Sequence, residues 1–148
     1  MKILKFALIL SAFGLLITSC KSAAQGSKIL SVSYTNTYGR GGSTSVIATK
    51  DTITAVGAGG RVRDFPNFKK KTDPKIWNKI VSGLDIATLD NTKNGARRGV
   101  FDGNDEIFTI ITTDKEYQII NASADAENYK QLEKLKTTLN SLLPDYQK

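Results

Sequence analysis

The chain has 148 residues, 40% hydrophobic and 24% charged, with 21 basic and 14 acidic side chains, one cysteine and no histidine. That length fits one domain plus a tail, and the composition is that of a folded globular protein. The missing histidine excludes His-dependent catalytic triads and zinc sites built from His and Cys, and a lone cysteine excludes an intramolecular disulfide.

Residues 1–19 have a basic start at Lys2 and Lys5, an apolar run over Phe6–Ile17, and small residues before Cys20. This is the build of a secretory signal peptide. Only fifteen residues separate Lys5 from Lys21, short of the roughly 20 that a transmembrane helix needs. Ile17-Thr18-Ser19-Cys20 resembles the lipobox of bacterial lipoproteins. The resemblance implies cleavage before Cys20, a diacylglyceryl group on its thiol and an acylated new amino terminus. Two or three acyl chains make a stable anchor, at about 0.8 kcal/mol per buried CH₂. The next residue is Lys21, not Asp; by similarity to the enterobacterial sorting rule, this implies the outer membrane. The tether 20–28 lacks the acidic residues that mark surface exposure in some Gram-negative groups, which implies the periplasmic face. Losing Lys2 and Lys5 with the leader still leaves five more basic than acidic residues. An exported protein meets little nucleic acid, so anionic lipid, lipopolysaccharide or acidic proteins are the partners this charge points to.

Beyond the tether, Ile29–Tyr38 alternates as a half-buried strand, with Leu30, Val32, Tyr34 and Tyr38 on one face. Gly39–Gly42 is a flexible turn. Thr44–Thr49 and Thr52–Val56 read as a hairpin turning at Lys50-Asp51, and a loop follows through Phe68. Asp73 caps a helix with Pro74 at its first position and Ile76, Trp77, Ile80, Val81 and Leu84 on one face. Asp85–Leu89 adds a further turn, and Asn91–Gly103 is a polar loop. Ile107–Thr113 and Glu116–Ile120 form a second hairpin around Asp114-Lys115. A final helix runs from about Ala126 to Leu143, with a leucine stripe and Pro144 as its stop. The elements predict an α+β domain over 29–143, with an antiparallel sheet of about five strands, two helices on one face, and a tail at 144–148.

This order, with Trp77, Phe101-Asp102-Gly103 and Tyr117, resembles small outer-membrane lipoproteins of the Bacteroidota type, a group whose likeness implies no activity and no site residues. Asp51-Thr52-Ile53 also matches the short pattern those bacteria use for periplasmic O-glycosylation, with Thr52 as acceptor.

Chemistry-bearing motifs are few. Asp102–Glu106 holds three acids and an Asn, but Ile107 and Thr113 stand where a calcium loop needs Gly and Glu, so the segment reads as a turn into a strand. No metal, cofactor or catalytic residue is expected, because the usual acid–base inventory is so thin. The basic excess concentrates between Arg61 and Lys79. Arg61, Arg63, Phe65, Phe68, Lys69, Lys70 and Lys71 form either an anion-binding loop with exposed rings or a solvated face with both rings packed beneath it. The expected function is a non-catalytic, membrane-anchored module that binds a protein or peptide in the envelope through a strand edge or a Gly-rich loop, as small anchored protease inhibitors do. The alternative is recognition of anionic lipid or glycan through the Arg61–Lys79 loop.

Overall fold

The computed structural model describes residues 28–98 and 103–144; the leader, Cys20, Phe101 and Asp102 lie outside these residues. Six strands form one antiparallel sheet: β1 Ile29–Tyr38, β2 Ser43–Thr49, β3 Thr52–Ala58, β4 Phe68–Lys71, β5 Asn104–Thr112 and β6 Glu116–Ile120. Their spatial order is β4-β3-β2-β1-β5-β6. The helices are α1 Pro74–Val81, α2 Ile86–Asn91 and α3 Lys130–Asn140, with short 3₁₀ turns at Gly39–Gly41, Gly60–Val62 and Ala122–Ala124.

The fold is α+β, with hairpins β2–β3 and β5–β6 where the sequence places them. Both turns are closed by the same device. Thr49 Oγ1 accepts from the backbone N–H of Asp51 and Thr52, and Thr112 Oγ1 accepts from Asp114 and Lys115. Asp73 caps α1 by accepting from the Lys75 N–H at 2.7 Å, and Asp85 caps α2 by accepting from Thr88.

One face of the sheet carries the core. Val32 and Tyr34 of β1, Val46 and Ala48 of β2, Ile53 and Ala55 of β3, and Phe108 and Ile110 of β5 point inward. They meet Trp77, Ile80 and Leu89 of the first two helices and Leu132, Leu135 and Leu139 of α3. The opposite face is rich in Ser and Thr and uncovered along its centre. Leu30, Ile47, Val56 and Ile111, the exposed large aliphatics among the described residues, all lie on it.

Four expectations are corrected. Leu30 does not share a face with Val32, because a bulge between Ile29 and Ser31 turns Ile29 into the core and Leu30 out to solvent. One extra residue in a strand reverses the alternation on one side of it. A sixth strand, β4, replaces much of the predicted basic loop; its three lysines hid it, although charge is what an edge strand tolerates. The polar loop before β5 is, over 92–98, a strap without regular structure as expected, and β5 begins at Asn104 rather than Ile107. The last helix is shorter at both ends; its start is delayed because Asp125 binds the Lys93 N–H and the Asn128 amide, which holds the preceding residues in turns.

Burial separates the two faces energetically. Ile110→Ala, which removes a fully buried side chain, is expected to cost about 2–5 kcal/mol in urea unfolding. Leu30→Ala should stay within about 0.5 kcal/mol. Equal losses would contradict the bulge.

Candidate functional site

The helices are too few to cover the whole inner face. At the end where β1 finishes and β2 begins, they leave a cavity of about 710 Å³. Its sheet wall consists of Tyr34, Asn36 and Tyr38, successive inward positions on β1, with Thr44 paired opposite Asn36 on β2. Val62 and Phe65 close one side, and Asn140, Ser141, Leu143 and Pro144, from the end of α3 onward, close another.

Arg61 lines the cavity, and Arg40 and Arg63 lie on or beside the turns next to it. Arg40 lies on the turn Gly39–Gly41 and Arg61 on the turn Gly60–Val62, and these two turns pack together. Their approach depends on glycine. Gly42 and Gly59 have φ of 118° and 108°, and a side-chain carbon on Gly59 would sit 2.4 Å from the Gly42 Cα. No other residue fits that contact. The stem of Arg61 lies against Gly41, the residue lines the cavity, and Arg63 follows two residues on. All three arginines are exposed, and among the described residues none is in an ion pair.

The cavity wall also holds an unpaired polar atom. Asn36 Oδ1 is buried without a hydrogen-bond partner. Buried polar atoms are nearly always paired, so this one needs a reason.

Behind Tyr34 sits a charged network. Glu106 accepts from the hydroxyls of Tyr34 and Tyr129 at 3.2 and 3.1 Å, and from the Lys136 ammonium. Burial alone would raise the Glu106 pKa, but the Lys136 donor and charge, then Tyr129 and Tyr34, hold it below the usual carboxylate range. The same burial and the Glu106 charge push the Tyr34 hydroxyl far up and Tyr129 up to about 12. Glu106 is therefore ionised and both tyrosines neutral at neutral pH. The network fixes the Tyr34 ring, which also stacks at 5.2 Å on Phe108.

The predicted basic loop is divided among several places. Arg61 and Phe65 reach the cavity, but Phe65 is only 6% exposed, so its ring is core and cavity wall rather than a surface contact. Phe68 is half-buried under the Lys70 ammonium, 4.9 Å away. Lys70 points to the helix side and donates to the Leu142 carbonyl at 2.9 Å, tying β4 to the cavity wall. Lys69 and Lys71 pair with Thr54 and Thr52 and face the open side of the sheet. Thr52 itself is half-buried at the start of β3, with its hydroxyl 3.2 Å from that of Thr49.

Asp105 and Glu106 are adjacent strand residues on opposite faces, so they do not converge on one ion. Asp105 is fully buried and accepts from Arg97 Nε, the Arg98 N–H and Asn121 Nδ2 at 2.6–2.7 Å. Arg97 and Arg98 therefore anchor the strap and do not extend the Arg61 group. Sequence reasoning missed Arg40, Asn36 and Thr44. Arg40 sits between glycines that match the later Gly57–Gly60 run, which is the one signal that linked the two turns. Compared with models of known protein families and with curated protein sequences, the chain matches none.

The Glu106 shift has a definite sign. Between its lowered folded value and the usual 4.5, the unfolded chain binds the extra proton, so stability falls as pH drops through that window. Glu106→Gln should flatten the decline when urea unfolding is followed from pH 5 downward. An unchanged slope would assign the acid sensitivity to other carboxylates.

Proposed function

We propose that the chain is a lipid-anchored, non-catalytic binding module on the periplasmic face of the outer membrane, and that a protein or peptide partner inserts a short segment into the Arg61-lined cavity. The observation that carries this reading is the coincidence, in one hollow, of Arg61, which has no ion-pair partner among the described residues, with aromatic and aliphatic walls. Ligand sites are typically concave hollows of about 300–1,000 Å³ that are mainly apolar with a few placed polar groups.

The sheet edges weigh against strand addition as the mode of contact. The β4 edge is a lysine run, and the end of β6 is already occupied: Asn94 Oδ1 accepts from the Ile120 N–H, and the Gly95 N–H donates to the Ile120 carbonyl. Charged and covered edges resist an added strand. Binding rather than turnover is favoured because Glu106, the carboxylate bonded to the cavity residue Tyr34, already has three donors and a lowered pKa. A proton shuttle needs a free site and a pKa near the working pH.

The cavity lies at the far end of β1 from Lys28, where the tether enters. Nine strand steps separate the ends of β1, roughly 30 Å. A mouth at that end is placed for partners approaching from the periplasm. The alternative, anionic lipid or glycan recognition, draws on the same Arg61 together with Lys69 and Lys71. Salt separates the two, since headgroup binding weakens steeply between low and physiological ionic strength.

Two measurements test this reading. Cys20→Ser should move the protein from the membrane to the soluble periplasmic fraction; retention in the membrane would remove the anchor. In cells, a photo-crosslinker placed at Tyr38 should capture one dominant partner, and Ser141→Trp, which fills the hollow from an exposed position, should abolish that capture. Lys69→Glu with Lys71→Glu should leave it intact. Capture that survives Ser141→Trp but is lost on reversing the two lysines would move the binding surface to the open face.

A further inference from the structure

We infer that the open face of the sheet docks a second copy of the chain, the two sheets packing face to face about a two-fold axis parallel to the strands. This surface lies on the other side of the sheet from the cavity, and the inference stands whatever the cavity binds.

Strand register sets the face out in rows. One row runs from Lys69 on β4 through Thr54, Ile47, Ser33 and Thr109 to Gln118 on β6. The next row toward the tether begins at Lys71 and ends at Glu116, with Thr52, Thr49, Ser31 and Ile111 between them. Two properties set this face apart. The exposed large aliphatics among the described residues, Leu30, Ile47, Val56 and Ile111, all lie on it, at 36–44% exposure. Single apolar residues on a surface are ordinary, but their concentration on one side of a sheet marks an interaction surface. Short Ser and Thr side chains fill the places between them, so a flat partner can approach closely.

The second property is charge. Lys69 and Lys71 stand at one edge and Glu116 at the other, all exposed, and none is in an ion pair among the described residues. Five strand spacings separate the edges, roughly 24 Å, so these charges cannot pair within one chain. A partner of one charge sign would meet the wrong sign at one edge. A surface with opposite signs at opposite edges is complementary to itself. Rotation about an axis parallel to the strands lays β4 of one copy over β6 of the other, so Lys69 and Lys71 face Glu116 of the second copy, twice over. An axis perpendicular to the strands would lay lysines on lysines. Charge therefore selects the axis. The same axis leaves both Lys28 ends on one side, as two chains anchored in one membrane require, so the anchor proposed above agrees with it.

The dimensions fit a modest interface. Sheets pack about 10 Å apart with their strands within about 30°, a separation that lysine side chains span. Six strands by three rows of side chains cover roughly 600 Å² on each copy, or roughly 1,200 Å² in all, the lower end of specific interfaces. Holding both copies on one membrane raises their effective concentration and favours such a contact.

The experiment places a photo-crosslinker at Gln118 of the full chain in cells, because Gln118 is exposed at the β6 edge. An adduct of twice the chain's mass should form, joined to Phe68–Lys71 of β4, a segment out of reach within the same chain. A crosslinker at Ser82, exposed just beyond α1 on the helix side, should give no self-adduct. Glu116→Lys should lower the Gln118 yield about fivefold or more. Adding Lys71→Glu should restore it, a rescue that damage to either strand would not give. No self-adduct from Gln118 would overturn the inference, and capture of a different protein there would overturn it in favour of that partner. A self-adduct joined to β6, or reversals without rescue, would overturn the axis. Thr52 lies in the Lys71 row, so a glycan found on it by mass spectrometry would overturn the face-to-face packing. The Cys20→Ser fractionation judges the anchor separately; a Gln118–β4 adduct from unanchored protein would uphold the pairing and remove only the tether argument.

Discussion

The controlling constraint is coverage. A six-stranded sheet with a ten-residue central strand presents an inner face roughly 30 Å long, and three helices of 8, 6 and 11 residues are all that is available to bury it. Helix α3 lies across the strands, as its contacts require: Lys136 reaches Glu106 on β5, while the carbonyl of Leu142 beyond its end meets Lys70 on β4. A helix laid crosswise covers about its own diameter, 10–12 Å, of strand length. Helix α1 packs beside it toward the tether end, where Trp77 and Ile86 stand near Ile29. The remaining end of the inner face is roofed only by loops, and the cavity is the space they do not fill.

The rest of the architecture secures that arrangement. A buried carboxylate is costly unless its oxygens are fully engaged, and Asp105 meets the condition through Asn121, Arg97 and the Arg98 backbone. Asn121 adopts a left-handed conformation, and its amide oxygen also receives the Glu106 N–H while its Nδ2 reaches the Ala96 carbonyl. One asparagine thus joins the strap, β5 and the 3₁₀ turn that follows β6. On the other face of β5, Glu106 draws α3 against the sheet. Neighbouring acids on one strand hold two different layers in place.

Much of this was legible in the chain. Alternation, turn residues and the Asp73-Pro74 cap located both hairpins, α1 and the α3 leucines, because each signal is local. What escaped depended on distant partners. Leu30 fits the strand period, and only pairing with β5 reveals the bulge. Phe68–Lys71 is polar by composition and becomes a strand only because β3 offers it an edge. Asp105 reads as part of a turn into a strand, and only Asn121, sixteen residues later, shows it to be enclosed. The site suffered most: Arg61 and Phe65 were noticed as members of a basic run, but that run proved to be divided between a cavity, a core and an edge. The grouping that matters joins Arg61 to Arg40 and Asn36, some twenty residues earlier.

The glycine contact between the two turns has a consequence for how such a protein changes over evolutionary time. Shape at the mouth is set by backbone packing, since Gly42 and Gly59 approach too closely for any side chain. Charge at the mouth is set by arginines that are exposed and unpaired among the described residues. Because different residues hold the two properties, selection can act on one without disturbing the other. Exchanging Arg40, Arg61 or Arg63 for neutral or acidic residues would change the charge of these turns on an unchanged frame. The glycines leave far less room for substitution, so the backbone shape here is held more tightly than the charge around it.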